Sequence, residues 1–117
     1  MSIKHAAEIS KEKVQSGTRA YKQVLIVPAE GPNFSMRRFI IEPGGGMPLH
    51  TNTVEHEQFV LSGRAKVVID AQTYEVRKND IVFIPSGVKH SYLVLGDESF
   101  EFLCVIPNKE DTMEVFK

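Results

Sequence analysis

From Tyr21 onward the chain is a succession of short runs rich in β-branched and aromatic residues, separated by glycine, proline or asparagine. This pattern indicates many strands joined by turns. The runs cover residues 23–27, 35–41, 58–61, 64–69, 80–84, 91–95 and 100–106. The segments between them, at residues 43–46, 62–63, 78–80, 85–87 and 96–97, fall at the spacing of a sandwich or closed barrel. We therefore predict an all-β fold.

The two ends of the chain fit this pattern less well. Residues 8–16 offer only Ile9 and Val14 as apolar positions, too few for an amphipathic helix, so we predict a surface loop or a single turn there. Ile3 and Ile9 indicate that part of segment 1–22 packs against a folded surface, and an edge strand given to a neighbouring subunit would do so. Residues 108–117 form a charged tail that we expect to be exposed or loosely packed.

Length and composition predict one cytoplasmic domain over residues 1–117. The 14 basic and 15 acidic side chains nearly cancel, which argues against binding to nucleic acid or to an anionic membrane surface. The first residues lack the apolar core of a signal peptide, and no apolar run reaches the roughly 20 residues of a membrane helix. The one cysteine, Cys104, lies in an apolar run and cannot form an internal disulfide.

Three of the four histidines lie near two of the predicted turns. In a strand, residues two apart share a face, so His50 with Asn52, and His56 with Gln58, can face one interior. His90 follows the turn at residues 85–87. Imidazole is the commonest metal ligand near neutral pH, because its pKa leaves a ring nitrogen free. The pattern predicts a metal site, with three separate core or surface histidines as the alternative.

The spacing of these residues resembles the two cupin sequence motifs. Six residues fall at motif positions: Gly44, His50 and Gly63 in the first motif, and Pro85, Gly87 and His90 in the second. His56 stands where the first motif usually has glutamate, and Asn79 stands where the second begins with glycine. Asparagine tolerates the left-handed backbone that such a glycine would adopt.

With a histidine in the glutamate position, the chain resembles the small single-domain cupins that bind manganese through four histidines. Residues 32–45 and 101–107 also look like that subgroup. The resemblance implies a double-stranded β-helix (jelly-roll) barrel, one divalent metal ion, and a homodimer that exchanges N-terminal strands. The implied ligands are His50, His56 and His90. Asn52 replaces the remaining histidine, so it coordinates weakly, through water, or not at all. Manganese follows from the resemblance, although iron, zinc, nickel or copper would suit three nitrogens equally well.

Four further residues are predicted to line the interior around a bound small molecule. The Gln58 amide could orient a water or a substrate, or simply pack at the barrel end. The Tyr92 hydroxyl could donate to a bound anion or only line the barrel. Phe102 and Cys104 alternate on one face of the last long strand, where the thiol is either reactive or inert core.

Two arginines and the fourth histidine are the remaining candidates for a site. If the strand through Arg37 and Arg38 is regular, one of the two faces inward, where it could clamp a carboxylate; a surface or subunit-interface arginine is the alternative. His5 has no companion ligand and is interpreted as a surface residue.

The predicted ligand set contains no carboxylate, so a bound divalent ion would keep its full charge and favour acidic oxygen ligands. We therefore hypothesise a metal-dependent oxidoreductase of dioxygenase type acting on a small acidic oxygen-containing substrate. The same ion could instead serve an isomerase or lyase as a Lewis acid. Two further hypotheses are a non-catalytic module that binds a small ligand or metal, and a structural barrel whose histidines are vestigial. No residue can be assigned a catalytic role from the sequence.

Overall fold

The computed structural model describes residues 1–116, so Lys117, the last residue of the predicted tail, lies outside it. Apart from a 3₁₀ turn at Ala6–Glu8, the regular elements of this part are all strands. No helix within residues 1–116 is long and apolar enough to cross a membrane. The strands are β1 (Glu12–Lys13), β2 (Thr18–Ile26), β3 (Phe34–Asn52), β4 (His56–Ser62), β5 (Arg64–Ile69), β6 (Gln72–Arg77), β7 (Ile81–Ile84), β8 (His90–Leu95), β9 (Phe100–Pro107) and β10 (Met113–Val115).

The long strand β3 organises the molecule, because its two halves have different neighbours. Residues 34–41 pair with β9, whereas residues 46–52 pair with β8 and β10. Between the halves the backbone bends at Gly44, whose φ of +83° favours glycine. The turn predicted at residues 43–46 is therefore a bend inside one strand. The hydrogen-bonded path β6-β5-β8-β3-β9-β4-β7 curls around this bend, which confirms the predicted all-β jelly-roll fold.

The interior is filled by the alternate residues of the facing strands. Along β4 and β7 buried and exposed positions alternate, as expected for strands with one face on the core. Four aromatic rings form the centre of this core. The Phe102 ring stacks on Phe39 at 5.1 Å and on Tyr92 at 5.4 Å, and it also contacts Phe100 at 5.3 Å. This packing fixes β3, β8 and β9 relative to one another.

Three strands were not predicted from the sequence, and one of them is the two-residue β1, which lies where a loop or a single turn was expected. Strand β6 is mostly polar and only Val76 on it is buried, because it lies at the end of the path and pairs with β5 alone. Strand β10 lies in the tail that was predicted to be exposed or loosely packed. Its residues are indeed exposed, but they pair with residues 50–52 of β3 rather than hanging free.

Part of the N-terminal segment lies against its own barrel, around Ile9, whereas Ile3, which was expected to pack, is fully exposed. A 3₁₀ turn at Ala6–Glu8 precedes β1, which pairs with β2, and residues 8–16 contain no α-helix, as predicted. The buried Gln23 amide donates hydrogen bonds to the carbonyl oxygens of Ala6 and Ile9, both at 2.8 Å. Exchange of this segment between subunits stays a prediction.

Gly63, in the turn between β4 and β5, packs closely against the backbone of Ser99 and Phe100. Its φ is +77°, and a Cβ atom there would lie 2.4 Å from the carbonyl oxygen of Ser99. Gly87 has a nearly equal φ of +78°, but nothing lies within 4 Å of its Cβ position. We expect Gly63→Ala to lower the free energy of unfolding by about 3 kcal/mol and Gly87→Ala by only about 1 kcal/mol, since only the first adds a clash to the backbone strain. Urea unfolding measures both; equal losses would contradict the role of the clash at Gly63.

Candidate functional site

A cavity of about 200 Å³ opens between the two halves of the curled sheet. Seven of the eight residues predicted as ligands or lining residues border it: His50, Asn52, His56, Gln58, His90, Tyr92 and Phe102. The eighth, Cys104, is fully buried just outside the lining and contacts the side chains of His56 and Gln58. The structure thus brings the predicted residues to one place.

The three histidines reach the cavity from three strands. His50 on β3 is the direct cross-strand partner of His90 on β8, and their ring centroids are 4.1 Å apart. His56 begins β4, on the other part of the curled sheet, and its ring lies 5.8 Å from that of His90. All three are buried. The rings therefore bring β4 close to β3 and β8, from which β9 separates it along the hydrogen-bonded path.

Backbone carbonyl groups fix the orientation of two of these rings. The Nδ1 atom of His50 lies 2.7 Å from the carbonyl oxygen of Pro48, and that of His90 lies 2.9 Å from the carbonyl oxygen of Val88. Because a carbonyl oxygen only accepts, each Nδ1 carries the hydrogen and each Nε2 keeps its lone pair. Metal-binding histidines are commonly oriented in this way by a hydrogen bond from the second ring nitrogen.

The third ring, His56, has a different partner. Its Nδ1 atom lies 3.6 Å from the Cys104 sulfur, which can either donate or accept. The Nε2 atoms of His56 and His90 are buried and form no hydrogen bond within residues 1–116. A buried nitrogen without a partner is costly, so its presence in two adjacent rings points to a ligand between them.

Burial keeps these imidazoles neutral. Loss of solvation lowers the pKa of His56 to about 3, helped by the nearby Arg37 guanidinium and by His90. The same effect, with His50 as a second cause, lowers the pKa of His90 to about 4. Burial also lowers the pKa of His50. At neutral pH, therefore, all three rings can offer a lone pair without first losing a proton.

Asn52 also lines the cavity, and the C-terminal segment orients its amide. The Asn52 Nδ2 atom donates to Oδ2 of Asp111 at 3.1 Å, and a carboxylate can only accept, so the orientation of the amide is determined. The other amide atom, Oδ1, is buried without a hydrogen bond in the described residues. Asp111 is held in turn by the backbone N–H of Thr53 at 2.9 Å. Asn52 thus presents a free acceptor oxygen.

Two further polar side chains of the interior, Tyr92 and Gln58, hydrogen-bond to each other. The Tyr92 hydroxyl is within 2.8 Å of Nε2 and 3.1 Å of Oε1 of Gln58. Burial raises the pKa of Tyr92 far above neutrality and also raises the pKa of the Cys104 thiol, so both stay protonated. Cys104 therefore lies buried beside His56 as a neutral thiol.

Comparison with known proteins identifies the family. A model of the cupin domain matches residues 37–106, well over half of the chain. The chain belongs to the cupin family. The polyketide cyclase RemF from Streptomyces resistomycificus is a similar solved structure, with a TM-score of 0.92 and 26% identity over 100% of this chain and 86% of that one.

Two curated relatives are longer than this chain. A 1-methylthio-D-xylulose 5-phosphate methylsulfurylase from Rhodospirillum rubrum is 26% identical over 86% of this chain and 65% of its own length. A mannose-1-phosphate guanylyltransferase from Klebsiella pneumoniae is 27% identical over 76% of this chain but only 20% of its own length. These matches support the cupin family and do not extend to the manganese-binding subgroup.

The donor groups of this cupin suit a divalent metal ion. Three neutral imidazoles and one amide oxygen form a mixed nitrogen and oxygen set that manganese, iron, zinc or copper can accept. As the side chains stand, no three histidine, cysteine or carboxylate groups within residues 1–116 already form a closed metal-binding cluster. Binding would therefore require the rings to move toward a common point.

Asp111 is a cavity residue that was not predicted from the sequence, because it lies 59 residues beyond Asn52 in the charged tail. We expect Asp111→Ala to weaken Mn²⁺ binding by roughly tenfold, the lower range for partners that orient ligands, because the Asn52 amide would lose its anchor. Glu110→Ala removes the same charge from the neighbouring exposed position and should change the affinity by less than about twofold. Isothermal titration calorimetry measures both; equal effects would show that only the charge matters.

Proposed function

We propose that this cupin is a metal-dependent oxidoreductase of dioxygenase type that acts on a small acidic oxygen-containing substrate. The observation that carries the proposal is the set of three neutral histidines whose rings border one cavity. His50, His56 and His90 would hold the ion, with the Asn52 oxygen as a weak additional ligand. Manganese is the ion that the sequence resemblance favours.

When bound, such an ion would supply a site for an acidic oxygen and, if redox-active, for reaction with dioxygen. The protein would supply a small cavity with both apolar and polar walls. Phe39, Met47 and Phe102 give the cavity apolar walls, and the Arg37 side chain adds a positive charge to the lining. Exclusion of water strengthens every charge interaction with a guest and limits side reactions.

The interior formed by residues 1–116 offers no obvious general base, and this favours an oxidative reaction over an acid–base reaction. Tyr92 and Cys104 remain protonated at neutral pH, because burial raises the pKa of each. The oxygens of Asp111 already accept hydrogen bonds from Asn52 and Thr53. Addition of both atoms of dioxygen to a substrate that binds as its anion would require no proton transfer to these side chains. A general base, in contrast, must lie unprotonated within hydrogen-bond reach of the reacting proton.

A non-redox reaction, such as a cyclisation or isomerisation, is the second candidate. It is favoured by the similarity to RemF over the entire chain, since that protein is described as a polyketide cyclase. The same histidines would then hold the ion as a Lewis acid. Because one fold hosts many activities, the similarity gives this candidate support but not a substrate.

Oxygen consumption distinguishes the two candidates. Protein reconstituted with Mn²⁺ or Fe²⁺ would be incubated with a panel of small enols, β-diketones and 2-hydroxy acids, with and without air. We expect oxygen uptake equal in amount to substrate loss, and neither with His90→Ala. Conversion that proceeds equally without oxygen would favour the non-redox enzyme. Tight binding of a panel member with no conversion would favour a non-catalytic binding module.

We also propose that the protein is a homodimer, as the sequence resemblance implies. Phe59 on β4 and Ile81 and Phe83 on β7 expose large apolar side chains on one outer face, and β7 is an end strand of the path. Exposed apolar patches next to an open edge are common in subunit contacts. Gel filtration with light scattering tests the proposal; a monomer at micromolar concentration would contradict it.

A further inference from the structure

We propose that Arg37 is an anion-binding residue of the cavity and that it recognises the carboxylate of a small ligand. Arg37 borders the same cavity as the three histidines. Its Nε atom is buried without a hydrogen-bond partner, and none of the four ion pairs within residues 1–116 involves it. Burying a guanidinium without a counter-charge costs free energy of folding, and a bound anion would offset this cost. The inference rests on the proposed function in one respect, that both use the same cavity, and it specifies the class of ligand bound there.

The groups that do contact Arg37 are uncharged. Its Nη2 atom lies 3.4 Å from the Cys104 sulfur, and its guanidinium carbon lies 4.8 Å from the centre of the Phe39 ring. The aromatic contact uses none of the guanidinium N–H groups, which lie along its edge and can form hydrogen bonds. A planar carboxylate fits such an edge through two parallel hydrogen bonds.

Arg38, the next residue, shows what an arginine with a partner looks like in this strand. It points to the opposite face, where both its Nε and Nη2 atoms donate to the Glu101 carboxylate. Arg38 and Arg37 therefore have the same charge and lie on the same strand, but only Arg37 faces the cavity and only Arg37 lacks an acidic partner.

Arg37 is close enough to the histidines for one small molecule to reach both. The Cys104 sulfur contacts Arg37 Nη2 at 3.4 Å and His56 Nδ1 at 3.6 Å, so the guanidinium and the His56 ring flank a single atom. A cavity of about 200 Å³ is smaller than the roughly 300–1,000 Å³ of pockets for drug-sized ligands. The ligand would therefore be small, with its carboxylate at Arg37 and the rest of the molecule toward the histidines.

The other charged groups of the lining do not neutralise Arg37. They are Lys22, a second cation, and Asp111, whose oxygens accept from Asn52 and Thr53. The lining thus carries an excess of positive charge before any metal ion is bound. This excess favours an anionic over a neutral guest of the same shape.

The test uses metal-free full-length protein, with benzoate as the carboxylate probe and benzamide as its neutral counterpart of the same shape. We expect benzoate to bind wild type and Arg38→Gln equally, Arg37→Gln at least about tenfold more weakly, and Arg37→Lys to an intermediate degree. Benzamide should bind all four at least about tenfold more weakly than benzoate binds wild type. Calorimetry gives the affinities, and the Nε–H signal of Arg37 in nitrogen-15 spectra should shift with benzoate.

Equal benzoate affinity for wild type and Arg37→Gln would overturn the inference, as would benzamide binding as tight as benzoate binding or no benzoate binding by wild type. Inorganic phosphate binding in place of benzoate would overturn the carboxylate assignment. If Arg37→Gln fails to fold, Arg37→Lys decides: an unchanged affinity and an unmoved Nε–H signal in wild type would contradict the proposal. Because the protein is free of metal, a negative result with benzoate would not contradict the proposed metal site. In the same way, failure to bind metal would not contradict benzoate binding at Arg37.

Discussion

Replacing His56 with alanine is expected to weaken the binding of a divalent metal ion more than roughly hundredfold, since loss of a ligand should exceed the roughly 10–100-fold cost of losing a residue that only orients one. His56 supplies a buried nitrogen with no other partner, and it comes from the opposite part of the sheet to His50 and His90. Without it the two remaining rings would form a two-ligand site. Plasma mass spectrometry of purified protein and titration with Mn²⁺ measure the change.

His5→Ala is the matched control, because it removes an exposed histidine whose side chain accepts a hydrogen bond from the Ala7 backbone. It should leave metal content and affinity unchanged. Equal metal content in wild type and His56→Ala would contradict the proposed ligand set. Asn52→His adds a separate comparison: a large gain in affinity would show that the asparagine leaves a ligand position poorly filled, whereas no change would show that three histidines suffice.

Acid is expected to destabilise the metal-free protein well above the pH at which its carboxylates become protonated. The pKa of His56 falls from 6.5 to about 3 on folding and that of His90 to about 4. Between these folded values and 6.5 the unfolded chain binds more protons, so stability decreases as the pH falls through this window. Each histidine should contribute a loss of roughly 2 kcal/mol between pH 7 and pH 5. Urea unfolding at the two pH values measures the loss.

Two variants assign this loss to the buried rings. His90→Gln removes one titrating group and should reduce the difference between pH 7 and pH 5 by roughly 2 kcal/mol. His56→Gln removes the other buried titrating group and should reduce the difference by a similar amount. A difference that is the same in wild type and His90→Gln would mean that His90 is not held neutral by burial.

Much of the fold could be predicted because apolar alternation and turn residues are local signals. The seven predicted strands all lie within or largely within observed ones. Strand β6 gave no such signal, since a strand at the end of the sheet buries little, and Val76 alone faces the core. The bend at Gly44 could not be distinguished from a turn, because a glycine-rich segment suits either and only the pairing of β3 with two sets of partners decides.

The candidate site was predictable to the extent that it depends on motif spacing. The histidines, Asn52 and Gln58 follow from alternation along two strands and from the turn before His90, and all border the cavity. What spacing could not reveal was the partner of each polar group. Tyr92, considered as a donor to a bound anion, instead hydrogen-bonds to Gln58, and Cys104 lies outside the lining. Asp111 reaches Asn52 only because the tail returns to β3, a contact between distant parts of the chain.

Anomalous X-ray diffraction from crystals soaked in Mn²⁺ would locate the ion independently of any activity, so it is the decisive measurement for the proposed metal site. We expect one strong peak in the cavity, with the Nε2 atoms of His50, His56 and His90 at roughly 2.0–2.3 Å, the usual range for bonds to first-row metals in proteins. Oxygen of Asn52 or of water would complete the coordination. A peak bound elsewhere, or a cavity that stays without a peak at millimolar Mn²⁺, Fe²⁺ and Zn²⁺, would contradict the three-histidine site.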